Sequence, residues 1–273
     1  MRKLVKPQTD FLGLYDKCVS SIKDSQKQDF LKSLSEQIVS SSESYDSKAE
    51  ASELYSLTPE PLNGKEDLKR LYKEKLVRQK SPGRDVYDQL FLLANNKCPF
   101  CSQGVAYTLD HFLPKGRFPE FSIYPNNLVP CCRDCNSAKG EYYSNLKQEQ
   151  LIHPYYDDVG CDVWLKAEVK PRDGAISIDF SIARIPQSEI HSRIEKQFNM
   201  LRLAFLYSAR AAEELSDQKY RFDQLYEVSP DELKQYLEDQ FKSCEQSDKN
   251  SWKTAMYRAL KGDEHFLSMD WKI

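Results

Sequence analysis

Two Cys-x2-Cys pairs, Cys98/Cys101 and Cys132/Cys135, stand 30 residues apart in a chain of 273. Each pair places two sulfurs on one tight turn, so both can face a single ion. Four thiolates at about 2.3 Å complete a closed tetrahedral zinc shell, which is structural because no ligand position is left for substrate. The intervening segment must leave the first pair and return to the second, and this closes a small module whatever the rest of the chain does. Cys131 lies beside the second pair at the wrong spacing and reads as a buried small residue. Cys18, Cys161 and Cys244 are isolated and read as buried or inert thiols.

Eight cysteines behind a start with no apolar stretch argue for thiolate ligands in a reducing compartment rather than a disulfide framework. No run approaches the roughly 18 consecutive apolar residues of a membrane span. A cytoplasmic protein without a membrane partner is expected.

Hydrophobic spacing predicts helices on both sides of the cysteine module. Phe30, Leu31, Leu34 and Ile38 form one stripe, and Asp10 to about Ser25 another helix, with a bend or helix end at the serine-rich Ser40–Ser44. After the Thr58–Gly64 turn, Lys65 to Gln79 reads as a helix with Leu68, Leu71, Tyr72 and Leu76 on one face. Asp85 to Asn95 delivers the chain to Cys98. Beyond the module the period changes to two: Val163, Leu165, Ala167 and Val169, then Ile176, Ile178, Phe180 and Ile182, flank Pro171-Arg172-Asp173-Gly174 as a β-hairpin. One long helix is expected from about Pro186 to Ser216. A proline-started capping box at Ser229 opens another through about Lys242, and a last one runs from Ser251 to Lys261.

The net charge of −3 conceals an asymmetry. Gly64 to Arg84 carries eight Lys or Arg against three Asp or Glu, whereas Glu213 to Asp248 carries eleven acids against four bases. A basic face next to the module suits phosphates, and the acidic stretch suits a protein partner.

Between the knuckles lie Asp110-His111, Asn127 and, directly after the last cysteine, Asn136. Hydrolysis of a phosphodiester needs a base for water, a hard cation at the scissile phosphate and stabilisation of the leaving oxygen. Asp110 and His111 are consecutive in an extended run, so their side chains point to opposite faces of an ideal strand. Only an irregular strand or a bend lets both reach one centre. Asn136 is expected to open a helix. Lys115, Arg117, Arg133 and Lys139 are candidates for phosphate contact, against the plainer reading of solvated loop charges. His153, close after the module, reads as structural rather than catalytic.

The order C-x2-C, Asp-His, Asn-Leu, C-x2-C-Asn-x2-Lys-Gly resembles the HNH, or ββα-metal, endonucleases over residues 98–140. The resemblance implies that His111 is the general base, that Asp110 and Asn136 bind one divalent cation, and that Asn127 orients the loop and the base. The chain departs from the named letters by having Asn136 in place of the final histidine. Oxygen ligands favour Mg2+ or Mn2+ over zinc at that position. Asp110-His111-Phe112-Leu113-Pro114-Lys115, Phe118-Pro119-Glu120, Asn127-Leu128-Val129-Pro130 and His153-Pro154-Tyr155 are similar to the HNH nuclease subunit of Septu-type anti-phage systems. That subunit also accompanies some retrons and works with an ABC-like ATPase partner.

The expectation is a mainly α chain with an embedded ββα-metal (HNH) module stapled by a four-cysteine zinc, plus one additional β-hairpin. A helical region with a basic helix spans 1–96, the nuclease module 97–157, and a hairpin and helical partner-docking region 158–273. The expected function is DNA phosphodiester hydrolysis in anti-phage defence. The alternatives are a non-catalytic zinc-dependent binding module and an RNA-cleaving HNH nuclease acting on tRNA.

Overall fold

Short polar side chains punctuate the first half of the chain, and each starts a helix by accepting an otherwise unpaired backbone N–H. The computed structural model describes residues 1–59, 62–172, 175–184 and 189–270. The chain divides into two units, Arg2–Asp158 and Val159–Ile273, the latter grouped with Met1. In the first unit, Asp10 caps α1 (Phe11–Ser20) through Gly13 N and Asp24 caps α2 (Ser25–Ser33) through Lys27 N. The bend expected in the serine run lies earlier, at Leu34, and α3 (Ser35–Glu50) passes through the serines unbroken. Ser41 and Ser42 donate their hydroxyls back to the carbonyls of Gln37 and Val39. Meanwhile Ile38, Ser42, Tyr45 and Ala49 bury one continuous stripe. Packing of that stripe outweighs the weak helix propensity of serine.

Gly64, at φ +79°, precedes α4 (Lys65–Leu71), and a Cβ there would meet the Phe30 ring. Glu60 and Pro61 of the expected turn lie outside the described residues. The helix continues as a single π turn, Tyr72–Val77, before α5 (Arg84–Leu93). Leu68, Leu71 and Leu76 are buried, as their spacing predicts.

Strand β1 (Thr108–His111) pairs antiparallel with β2 (Leu128–Cys131) in the register Thr108↔Cys131, Leu109↔Pro130, Asp110↔Val129, His111↔Leu128. Helix α6 (Arg133–Lys139) follows, capped by the Cys132 thiol, which accepts from Cys135 N. That cap starts the helix at Arg133, so Asn136 sits within α6 rather than opening it. Phe118, Phe121, Tyr45 and Leu128 are among the side chains buried in this unit, each large one contributing about 1.5–3 kcal/mol.

In the second unit β3 (Leu165–Arg172) and β4 (Ala175–Ile182) form an antiparallel hairpin with Leu165 opposite Ile182. Asp173 and Gly174 of its expected turn, like the expected helix start at Pro186, lie outside the described residues. The anticipated long helix is two, α7 (Glu189–Met200) and α8 (Leu203–Val228), separated by Arg202 in the left-handed region at φ 52°. Leu201 and Leu203 are both buried, whereas on one continuous helix they would stand about 200° apart. The break turns both inward. Ser229 caps α9 (Pro230–Ser247), Ser251 caps α10 (Trp252–Leu260) and Asp263 caps α11 (Glu264–Leu267). The protein is thus mainly helical, with two small antiparallel hairpins. No described helix is long and apolar enough to cross a membrane.

Candidate active site

The sulfurs of Cys98, Cys101, Cys132 and Cys135 all lie within 4.8 Å of one another, and all four residues are buried. A tetrahedron with sulfur at about 2.3 Å from its centre has an edge of roughly 3.8 Å, and Cys101 Sγ is 3.8 Å from Cys132 Sγ. The donor set and its spacing fit a zinc ion. The knuckles are built for anionic sulfur. Gly104 N and Gln103 N point at Cys101 Sγ from 3.3 and 3.5 Å, and Cys135 N points at Cys132 Sγ from 3.5 Å. Hydrogen bonds from Cys132, Cys135 and Cys98 hold the Cys101 thiol well below its usual range. Gly104 is required sterically, because a Cβ there would lie 2.6 Å from Cys132 Cβ and 2.8 Å from its sulfur. Cys131 is buried outside this group, and burial pushes its thiol up to about 12. Cys18 is also buried, Cys244 partly so, and Cys161 is exposed.

The cluster anchors the start of α6, and α6 carries Asn136 to the end of β1. There Asp110, His111, Lys115, Asn136 and Glu141 line a cavity of about 260 Å³. Asp110 and His111 both border it without a bulge in the β1–β2 pairing; of the two routes expected, an irregular strand or a bend, the chain takes the bend, at Phe112 and Leu113 directly after His111. The cavity opens where β1 ends, and its wall is completed by Pro114 and α6, so consecutive residues border it together.

His111 Nε2 lies 2.9 Å from the Ser122 carbonyl oxygen. A carbonyl only accepts, which assigns the proton to Nε2 and leaves Nδ1 with a lone pair. Burial, with Lys115 adding to it, lowers the imidazole to about 3. The ring is therefore neutral at pH 7. Asp110 is drawn the other way: burial raises its carboxyl, and the Lys139 ammonium opposes that rise. Lys139 Nζ stands 2.9 Å from Asp110 Oδ2 and donates to the His111 carbonyl at 2.8 Å. Asp110 Oδ2 nonetheless has no donor in hydrogen-bonding geometry among the described residues. That buried carboxylate and Asn136 border the same cavity.

Asn127 is fully buried and holds the loop after β1. Its Oδ1 accepts from Leu113 N at 2.7 Å, and its Nδ2 donates to the carbonyls of Leu113 and Phe121. Tyr45 donates to the same Oδ1 at 3.2 Å, and its hydroxyl lies 2.9 Å from His153 Nε2. Tyr155 N donates to His153 Nδ1, so Nε2 carries the proton and the order runs His153, Tyr45, Asn127. His153 therefore supports Asn127 through Tyr45 and is not among the residues that line the cavity.

Protein ea31 of Escherichia phage lambda is 33% identical to this chain over 216 residues, 73% of each protein. The chain belongs to the ea31 family. Septu protein PtuB of Bacillus thuringiensis is 36% identical to this ea31-family chain over 73 residues, 25% of the chain and 28% of PtuB. No protein-family model and no solved structure matches.

Sequence reasoning named Lys139 only as a phosphate candidate. In this ea31-family chain its side chain is buried and engaged with Asp110 and the His111 carbonyl. The available signal was its place three residues after Asn136 on one helix face. Arg117 and Arg133 are exposed, and Arg133 lies over the Tyr107 ring. Tyr72 gave no signal beyond its apolar stripe and Tyr45 none, because their partners here are distant in sequence.

Proposed function

We propose that the chain is a metal-dependent HNH endonuclease that hydrolyses DNA phosphodiesters, with residues 97–157 as its nuclease module. The observation that carries this reading is the convergence of Asp110, His111 and Asn136 on one cavity beside a four-cysteine cluster. His111 Nδ1 takes the proton of the attacking water, as a neutral buried imidazole can at pH 7. The Ser122 carbonyl holds the other nitrogen. Asp110 and Asn136 are the residues that would hold Mg2+ or Mn2+, which when bound neutralises charge on the scissile phosphate. Lys139 keeps the Asp110 carboxylate ionised in its buried position. Asn127 fixes the loop that carries Lys115 to the cavity.

The PtuB similarity supports a role in anti-phage defence, with residues 158–273 docking an ABC-like ATPase and the helical region 1–96 presenting its basic helix to DNA. A phage-borne relative fits exclusion of a rival phage as readily as defence of a host. The test is nicking of supercoiled plasmid in Mg2+ or Mn2+, with and without an ABC-like ATPase where a neighbouring gene encodes one. Wild type should nick and His111→Ala should not. Equal behaviour of the two rejects catalysis and leaves a zinc-dependent binding module, while cleavage of labelled tRNA in place of plasmid reassigns the substrate to RNA.

A further inference from the structure

The helix that begins at Lys65 changes character next to the cavity. It ends in one π turn, Tyr72–Val77, and π turns recur at functional sites. The first residue of that turn reaches the centre of the module. The Tyr72 ring lies 4.5 Å from the His111 ring, centroid to centroid, at an interplanar angle of 70°. Its hydroxyl donates to the Leu109 carbonyl at 3.2 Å, which ties it to the strand that carries His111. The opposite restraint on the imidazole is the Ser122 carbonyl at 2.9 Å, and Ser122 is itself held through its hydroxyl on the Pro119 carbonyl. One hydrogen bond restrains His111 in the ring plane but leaves the ring free to tilt about it. An aromatic ring packed nearly perpendicular removes that freedom.

We propose that Tyr72 is a positioning residue for His111, deepening the nuclease reading on which it rests. The same contact joins the base to the substrate-facing side of the protein. Arg70 and Lys73 flank Tyr72 and are exposed, and Lys115, which lines the cavity, stands 5.4 Å over the Tyr72 ring. A phosphate backbone engaged by these cations bears directly on the residue that sets the imidazole plane. Nucleic acid on the basic helix and orientation of the base are then one event.

The experiment compares Tyr72→Phe and Tyr72→Leu in the full chain, checked for one zinc per chain. Two quantities are read: kcat and KM for plasmid nicking, and the imidazole proton resonances of His111. Tyr72→Phe, which keeps the ring, should hold kcat within about threefold, whereas Tyr72→Leu should lower it on the order of 30-fold with KM within about twofold. The His111 resonances should stay near their wild-type positions in Tyr72→Phe and move in Tyr72→Leu. If Tyr72→Leu loses its zinc, Tyr72→Met takes its place. Unmoved resonances in the ring-less variant, or a Phe variant as impaired as the Leu variant, overturn the proposal. The resonances need no turnover. An inactive wild type therefore sinks the nuclease reading alone, while the ring contact is still decided by the spectra.

Discussion

Lys139 Nζ lies 2.9 Å from Asp110 Oδ2, and their side chains are only 1% and 4% exposed. A lysine and an aspartate this deeply buried are mutually dependent, because either charge alone would face its full desolvation cost. Lys139→Met should destabilise the protein by about 3–5 kcal/mol, the usual cost of breaking a buried pair from one side. The double variant Lys139→Met/Asp110→Asn should recover much of that loss. Urea denaturation of the four members of this cycle gives the answer, and an additive double variant would show the pair to be uncoupled.

Gly104→Ala is expected to weaken the cysteine cluster. The added methyl would lie 2.8 Å from Cys132 Sγ, too close without displacing a ligand. Zinc release under a competing chelator should be faster than in wild type, with the measured stoichiometry falling below one per chain. Cys98→Ser should act in the same direction and more strongly, since the free energy of binding a structural zinc is folding free energy. A Gly104→Ala protein that retains its metal as wild type does would contradict the geometry of the knuckle.

Tyr45→Phe removes a single oxygen, yet that oxygen lies 2.9 Å from His153 Nε2 and 3.2 Å from Asn127 Oδ1. Asn127 keeps its bond from Leu113 N, while the Nε2–H of His153 loses its Tyr45 acceptor. The expected cost is about 1–3 kcal/mol, readable as a lowered urea midpoint at unchanged m-value.

His111 sets the sign of one pH effect. Its imidazole is lowered from 6.5 to about 3 by burial, with Lys115 contributing. Between those values the unfolded chain binds a proton that the folded chain does not, so this group's share of stability is present above pH 6.5. It is lost as pH falls from there towards 3. His111→Gln should flatten that part of the acid limb. By NMR, the wild-type ring should show no protonation at pH 5, and a His111 titrating near 6.5 would contradict its burial.

Two parts of the molecule differ in how they were written into the chain. The β3–β4 hairpin follows from period-two runs whose inward members Leu165, Ala167, Ile178 and Phe180 are buried. The caps at Ser229 and Ser251 follow from a side chain bonding to an N–H two or three residues on. Both signals act over a few residues. The break at Arg202 and the unbroken passage of α3 through Ser40–Ser44 did not show, because each is decided by what packs against the helix rather than by the helix itself. The ea31 similarity covers most of the chain yet carries no chemistry in its name, so the cavity has to be argued from its side chains.

The sequence alone pointed to the four-sulfur cluster, since each C-x2-C pair puts two sulfurs on one turn. It also determined the mainly helical class and the β3–β4 hairpin, through hydrophobic periods that are properties of local backbone geometry. Only the tertiary structure decided that Lys139 compensates Asp110, that Tyr72 packs against His111, and that His153 reaches Asn127 through Tyr45. Those contacts depend on the angles at which separate elements pack, and a few ångströms of displacement at contacts as short as these would abolish them. No spacing within one element encodes such angles.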